Sequence, residues 1–281
     1  MRRFLLCLCA TGAVAFLSIR ANAAEIVNTG LPDGKLGALS QTSKNGLETE
    51  AADDFILGSG ALITGATFFG LIPSNVAVSD IGDVTVEIYR VFPNDSDTGR
   101  MITVTTRMNS PSDVQFDSRD SASDLNFTAT VLGSFSVLNS VANGINPKPV
   151  QHTGGEGPVS GQEVEFDVTF TTPFNLPPDH YFFVPQVDVP GGFLWLSSPK
   201  PIVAPGTPFN GDLQAWIRTE RLAPDWSRIG TDIVGPPAAG GPAPTFNEAF
   251  SLDGTFIPEP SSVALVLGGL LALGWKMRRK K

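Results

Sequence analysis

Two stretches of this chain alternate apolar and polar residues with a period of two, and that alternation constrains the fold more than any other feature. In Asp83-Val84-Thr85-Val86-Glu87-Ile88-Tyr89-Arg90-Val91, Val84, Val86 and Ile88 share one face, with Thr85, Glu87 and Tyr89 on the other. In Glu163 to Thr171, Val164, Phe166, Val168 and Phe170 point one way and Glu165, Asp167 and Thr169 the other. Successive strand side chains point to opposite faces, so each stretch predicts one buried and one wet face, as in an antiparallel sheet of a sandwich. Weaker strand candidates are Asp54–Leu57, Leu62–Phe69, Met101–Arg107, Phe127–Leu138, Tyr181–Val187, Phe193–Ser197, Leu213–Thr219 and Glu248–Phe256. Between them lie Pro93–Asp97, Asn143–Pro147, Pro177-Pro178-Asp179 and Pro190-Gly191-Gly192. Proline fixes φ and glycine permits positive φ, so these clusters break strands and exclude long helices. About ten strands so spaced predict an all-β chain, an antiparallel two-sheet β-sandwich with a jelly roll as its narrower form. Residues 24–50 read as a lead-in or irregular first strand, and Gly235–Pro244 as a loop or hinge. A split near Asn143–Gly161 is conceivable, but neither half offers a full set of strands, so one domain is expected from Ala24 to Phe256.

The two ends have a different character. Met1-Arg2-Arg3 precedes an apolar run from Phe4 to Ile19 and then Ala21-Asn22-Ala23. Positive charge, a short apolar core and a small-x-small site are the marks of a secretory signal peptide, here residues 1–23, cleaved after Ala23 or Ala24. A retained N-terminal anchor is the alternative. At the other end, residues 257–281 hold Pro258-Glu259-Pro260, an apolar run from Ser261 to Trp275, and five basic residues among the last six. As a helix, that run would be roughly 22 Å long at about 1.5 Å per residue, short of a hydrocarbon core of about 30 Å. The basic cluster is expected on the cytoplasmic side. A marginal transmembrane helix suits a temporary anchor.

The order of tripeptide, short apolar helix and terminal basic cluster resembles the PEP-CTERM sorting signal of Gram-negative, exopolysaccharide-producing bacteria. In that family Pro-Glu-Pro is the recognition site of an exosortase, a membrane-embedded cysteine transpeptidase that cuts near the motif and passes the protein outward. The resemblance therefore implies Pro258, Glu259 and Pro260 as sorting motif, exosortase as partner, transient residence in the inner membrane, and a final place at the cell surface or in the extracellular matrix. It covers about the last 25 residues, and an ordinary tail anchor fits the same residues. A fainter likeness covers the body. Ala52-Asp53-Asp54-Phe55, Ile63–Phe68 and Asn247–Thr255 are similar to β-sandwich ectodomains found ahead of such tails, a group whose activity is unknown.

Removing both ends changes what composition permits. Three of the 19 basic residues lie in the leader and five in the tail; of the 28 acidic residues only Glu259 falls in either. The body thus carries 11 basic against 27 acidic residues, a net charge near −16. Such a surface repels nucleic acid and anionic lipid, leaving cations, basic proteins or neutral glycans such as an exopolysaccharide as partners. Both cysteines, Cys7 and Cys9, lie in the leader. The body accordingly has no disulfide, thiolate nucleophile or Cys-ligated zinc.

Little in the body points to catalysis. His152 and His180 lack any metal-ligand spacing and read as solvated loop residues, and no nucleophile elbow, phosphate loop or dinucleotide fingerprint is present. No catalytic residue and no cofactor is assigned. A polysaccharide hydrolase would need only two carboxylates about 5–9 Å apart, so it stands as the alternative function. Period two places Trp216 with Gln214 and Arg218, opposite Leu213, Ala215 and Ile217, while Trp226 sits in the loop Ala223–Arg228. Exposed, Trp216 and Trp226 with Asp225 and Arg218 would form a glycan-binding surface, the rings stacking on sugar faces and the polar groups taking hydroxyls. Buried, Trp216 would cover a sheet edge and Trp226 would plug a loop into the core. Asp95 and Asp97, closely spaced in a turn, are candidate calcium ligands, with Ala52-Asp53-Asp54 as a looser candidate. The sequence thus predicts a non-enzymatic adhesive, glycan-contacting or structural surface protein.

Overall fold

The computed structural model describes residues 23–43, 46–146, 148–199 and 211–258. The signal peptide before Ala23, and the tail from Glu259 with its Ser261–Trp275 run, lie outside the described residues. Among the described residues no helix is long and apolar enough to cross a membrane.

The body is mostly β. In chain order the strands are β1 (Ala24–Asn28), β2 (Leu36–Leu39), β3 (Thr49–Leu57), β4 (Ala61–Ile72) and β5 (Val84–Arg90). Then come β6 (Asp117–Asp120), β7 (Leu125–Val137), β8 (Asn139–Val141), β9 (Val159–Leu176) and β10 (Asp179–Val187). The last are β11 (Leu194–Ser198), β12 (Trp216–Thr219), β13 (Ser227–Arg228), β14 (Asn247–Glu248) and β15 (Phe250–Phe256). One sheet is centred on β4, which pairs with β15 and β11 along one edge and with β9 along the other; β1 flanks β15 and β7 flanks β9. The second sheet runs β13-β12-β3-β10-β5-β6. Every pairing is antiparallel except β2 with β8. Strands from both halves of the chain interleave in each sheet, so no division falls near residues 143–161.

The sheets pack face to face on an aromatic core. Phe68 and Phe166 of the first sheet stack with centroids 5.0 Å apart, and Phe183 of the second lies 6.2 Å from Phe68 and 5.0 Å from Phe250. The residues the alternation turns inward, Val84, Val86, Ile88, Val164, Phe166, Val168 and Phe170, are all buried there. Each such side chain is worth about 1.5–3 kcal/mol when fully buried. Trp195 is buried too, its Nε1–H donating to the Ala249 carbonyl at 3.1 Å. Gly70 is required by this packing: a Cβ there would sit 2.0 Å from the Phe193 ring.

Several expectations need correction. Residues 24–50 supply β1, β2 and the start of β3. Met101–Arg107 is not a strand, although Ile102, Val104 and three threonines favour one; among the described residues it has no ladder partner, and it runs as loop with Thr103 bound to Asp225. The outer face of the second sheet is not wet. Ala52, Tyr89, Val91, Phe182, Val184, Leu213, Trp216 and Trp226 form a separate buried cluster on that side, covered by the segments around 91–116 and 220–226. β10 is consequently buried on both faces.

Candidate functional site

The four residues proposed for glycan contact do converge, on the outer face of the second sheet, but they are built inward. β12 pairs with β3 so that Arg218 lies opposite Glu50 and Trp216 opposite Ala52. The loop after β12 folds back and lays Trp226 over the same face. Trp216 and Trp226 are each only 1 % exposed. Neither ring offers a face on which a sugar could stack, so the exposed-platform reading is overturned. The reason is the second apolar cluster, which needs large side chains to seal it from water. The Trp226 Nε1–H donates to the Ser112 carbonyl at 3.2 Å, tying the loop to the cover.

Arg218 organises the polar part of this layer. Its Nε and Nη2 hold the Glu50 carboxylate from two sides, Nη2 donates to the Tyr89 hydroxyl at 2.7 Å, and the guanidinium lies 4.2 Å from the centre of the Trp226 ring. The Tyr89 hydroxyl is 2.7 Å from Glu50 Oε1 and 3.0 Å from Glu87 Oε2. With one hydrogen it can donate to only one of them. Glu87 solves the shortage by keeping its own proton: burial, then the charge and hydrogen bond of Glu50, push its carboxyl up to about 8. Burial likewise pushes the Tyr89 hydroxyl far up. The result is one positive charge, one negative charge and a neutral acid locked together, which is how a layer this dry can contain them.

Asp225 is also spoken for. One oxygen takes Arg100 Nη2 at 2.6 Å, the other the Thr103 amide at 2.9 Å and its hydroxyl at 3.0 Å. Burial alone would raise this carboxyl, but Arg100 and Thr103 together hold it below the ordinary range. No lone pair pattern is left facing solvent for a sugar hydroxyl.

The calcium candidates are paired with cations or donors already in the chain. Asp95 receives Arg90 Nε and Nη2 at 2.7 and 2.6 Å, and Asp97 Oδ1 accepts the Gly99 amide at 2.9 Å. Asp53 and Asp54 are interior to β3, where Asp53 accepts the Glu248 amide at 2.9 Å and Asp54 the Leu213 amide at 2.8 Å. Among the described residues no group of three or more His, Cys, Asp or Glu side chains is arranged to hold a metal ion.

No family model, curated protein or solved structure matches this chain.

Two buried groups escape a reading by sequence. His180 is the second residue of β10 rather than part of a loop, and lies in the interior with Nε2 2.6 Å from Asp54 Oδ2. That pair is diagonal across the β3–β10 ladder, where His180 opposes Ile56. His152, by contrast, is exposed as expected, with Nδ1 3.1 Å from the Asp232 carbonyl. Glu248 is fully buried, and neither carboxylate oxygen has a hydrogen-bond partner among the described residues. Burial, with the Asp33 charge nearby, pushes its carboxyl well above the ordinary range.

These acids set the pH dependence of stability. Glu87 and Glu248 have folded-state values above their ordinary 4.5, so the folded chain binds protons that the unfolded chain releases. Stability therefore falls as pH rises from about 4.5 to about 8, the window set by Glu87. Asp33 and Asp225 lie below the ordinary 3.8, and their contribution is lost only in stronger acid. We expect Tm to peak in mild acid and decline toward pH 8, with Glu87→Gln flattening part of the decline. A Tm that rises steadily from pH 5 to pH 8 would contradict this.

The open cavities are of another kind. A groove of about 440 Å³ is lined by Gly154, Val234, Gly235 and the prolines of the 236–244 loop. A second, of about 350 Å³, lies between Gly60, Leu176–Pro178 and Ile257–Pro258 where the chain leaves the sandwich. Neither is lined by a titratable side chain.

Proposed function

We propose that this protein is exported, sorted through its Pro258-Glu259-Pro260 tail by an exosortase, and serves outside the cell as a non-enzymatic structural β-sandwich of the surface or extracellular matrix. The observation that carries the reading is where the fold stops. β15 ends at Phe256, the Ile257 amide still donates to the Gly60 carbonyl at 2.7 Å, and the tripeptide begins at the next residue. Every described strand and all three buried apolar clusters lie between Ala24 and Ile257. Cutting near the tripeptide thus leaves the folded body whole. Within the sandwich class we favour a jelly-roll winding, supported by β3, β4 and β5 alternating between the sheets, as do β9 and β10.

Structure rather than glycan reading is favoured because the aromatic residues that would stack on sugar are consumed in packing. Contact with exopolysaccharide, if made, falls to the acidic and neutral surface. The hydrolase alternative has one observation on its side, the raised Glu87 beside Glu50. That pair shares a hydrogen bond and is bound to Arg218 and Tyr89, whereas glycosidases keep their carboxyls about 5 Å or more apart to admit the sugar.

The sorting proposal is tested by replacing Pro258-Glu259-Pro260 with alanines in the producing cell. The expected result is an uncleaved form retained in the membrane fraction. Unchanged processing and release would reduce the tail to a plain anchor.

A further inference from the structure

Most of the sheet margins in this molecule are blunted. β13, β14 and β8 are two or three residues long, β1 carries Glu25 and a bulge, and β6 is the charged tetrapeptide Asp-Ser-Arg-Asp. These are the usual devices that stop a sheet from adding strands of another molecule. β7 is the exception. It is thirteen residues long, Leu-Asn-Phe-Thr-Ala-Thr-Val-Leu-Gly-Ser-Phe-Ser-Val, with no charge and no proline. It pairs with β9 along one side, and among the described residues nothing pairs with the other. Among the described residues, no backbone bond outside that ladder involves residues 125–137.

A bulge between Val131 and Gly133 limits the regular part to Leu125–Val131, whose seven pairings with β9 are in unbroken register. In that part Asn126, Thr128 and Thr130 point out, while Phe127, Ala129 and Val131 lie on the core side. Val131 is 42 % exposed although it lies opposite buried Val164, because no strand beyond β7 covers it.

We infer that β7 is a self-association edge, at which a second copy of this chain adds antiparallel across Leu125–Val131 about a two-fold axis at Thr128. The edge is complementary to itself. Pairing about Thr128 sets Asn126 against Thr130 and Phe127 against Ala129, so outer residues meet outer ones and core-side residues meet core-side ones. The body carries a net charge near −16, and β7 is a window free of charge through which two such bodies can approach. One strand in, β9 carries the row Glu163, Glu165 and Asp167 beside β7. In the pair, the two rows would stand three strand spacings apart, about 14 Å, beyond the screening length of about 8 Å at physiological salt. Association is therefore expected to strengthen as salt is raised from low concentration. The inference concerns the body alone and does not depend on the sorting reading, whose test lies in the tail.

The test uses Ala24–Pro258, which holds every described strand and all three buried clusters, in sedimentation equilibrium up to about 1 mM, where a weak interface still registers. The expected result is a reversible monomer–dimer equilibrium that tightens with NaCl and weakens at least ten-fold in Thr128→Lys. That lysine would sit opposite Asp167 within its own sheet but against its twin across the axis. Ser118→Lys on the β6 edge should change nothing. As a second probe, Thr128→Cys in this otherwise cysteine-free body should give a disulfide-linked dimer on oxidation, since directly opposed Cβ atoms lie about 5 Å apart; Ser118→Cys should not. A body monomeric throughout, or association indifferent to Thr128→Lys with no Thr128→Cys dimer, would overturn the inference.

Discussion

Arg218→Ala is expected to destabilise the folded chain by about 3–5 kcal/mol, the usual cost of removing one partner from a buried ion pair. That is a large share of the roughly 5–15 kcal/mol available to a domain. The loss comes less from the missing contacts than from what they leave behind. Glu50 is left in a dry layer with the Tyr89 hydroxyl and the Glu87 carboxyl as its remaining partners. The expected loss is therefore greatest near pH 8, where Glu87 begins to ionise beside Glu50, and smaller near pH 5, where Glu87 holds its proton. Urea unfolding at both pH values measures it. Arg218→Lys should recover only part, because a single ammonium cannot grip Glu50 from two sides and reach Tyr89 while covering Trp226. A cost below about 1 kcal/mol, typical of exposed pairs, would show that the network is not sealed.

The second large effect is expected from Trp226→Ala, at about 3–5 kcal/mol for an aromatic deleted from a packed site. The indole fills the outer cluster edge-to-face against Tyr89 at 5.3 Å, lies under Arg218, and ties its loop to Ser112. Its removal opens a cavity and lets water reach the Glu50–Arg218 pair. Were the ring an exposed sugar platform, the same substitution would spare stability and affect only binding. Urea midpoints and near-ultraviolet circular dichroism separate the two outcomes. Because Trp226 and Arg218 touch, the double variant should lose less than the sum of the singles.

The inner half of this fold is legible in the sequence because it follows a period. Val84, Val86 and Ile88, and Val164 through Phe170, alternate as a strand with one dry face must. The assignment of Ala215 and Ile217 to the core follows from the same rule, but Leu213, expected on their face, lies in the outer cluster with Trp216, because the regular strand begins only at Trp216. The rule is silent about what covers the other face. The cover is irregular chain around 91–116 and 220–226, whose side chains keep no period, so the sequence left Trp216 and Trp226 open between exposed and buried, and the structure buries both. One signal was available: Tyr181-Phe182-Phe183-Val184 does not alternate, and an unbroken apolar run marks a strand buried on both sides. A second sheet face that needs covering follows from it. Met101–Arg107 misled in the opposite sense, since β-propensity measures fit to a pleated surface and among the described residues this segment has no neighbouring strand to pair with. His180 was obscured by the prolines before it; only the ladder register brings it onto Asp54.

The most direct test of the central claim is the intact mass of the protein recovered from the cell surface, compared between the natural chain and the form with Pro258-Glu259-Pro260 replaced by alanines. The expected natural product begins at or just after Ala24 and ends near the tripeptide, lacking Lys276–Lys281, while the replaced form keeps its tail in the membrane. A surface product that still carries Lys281 would contradict it.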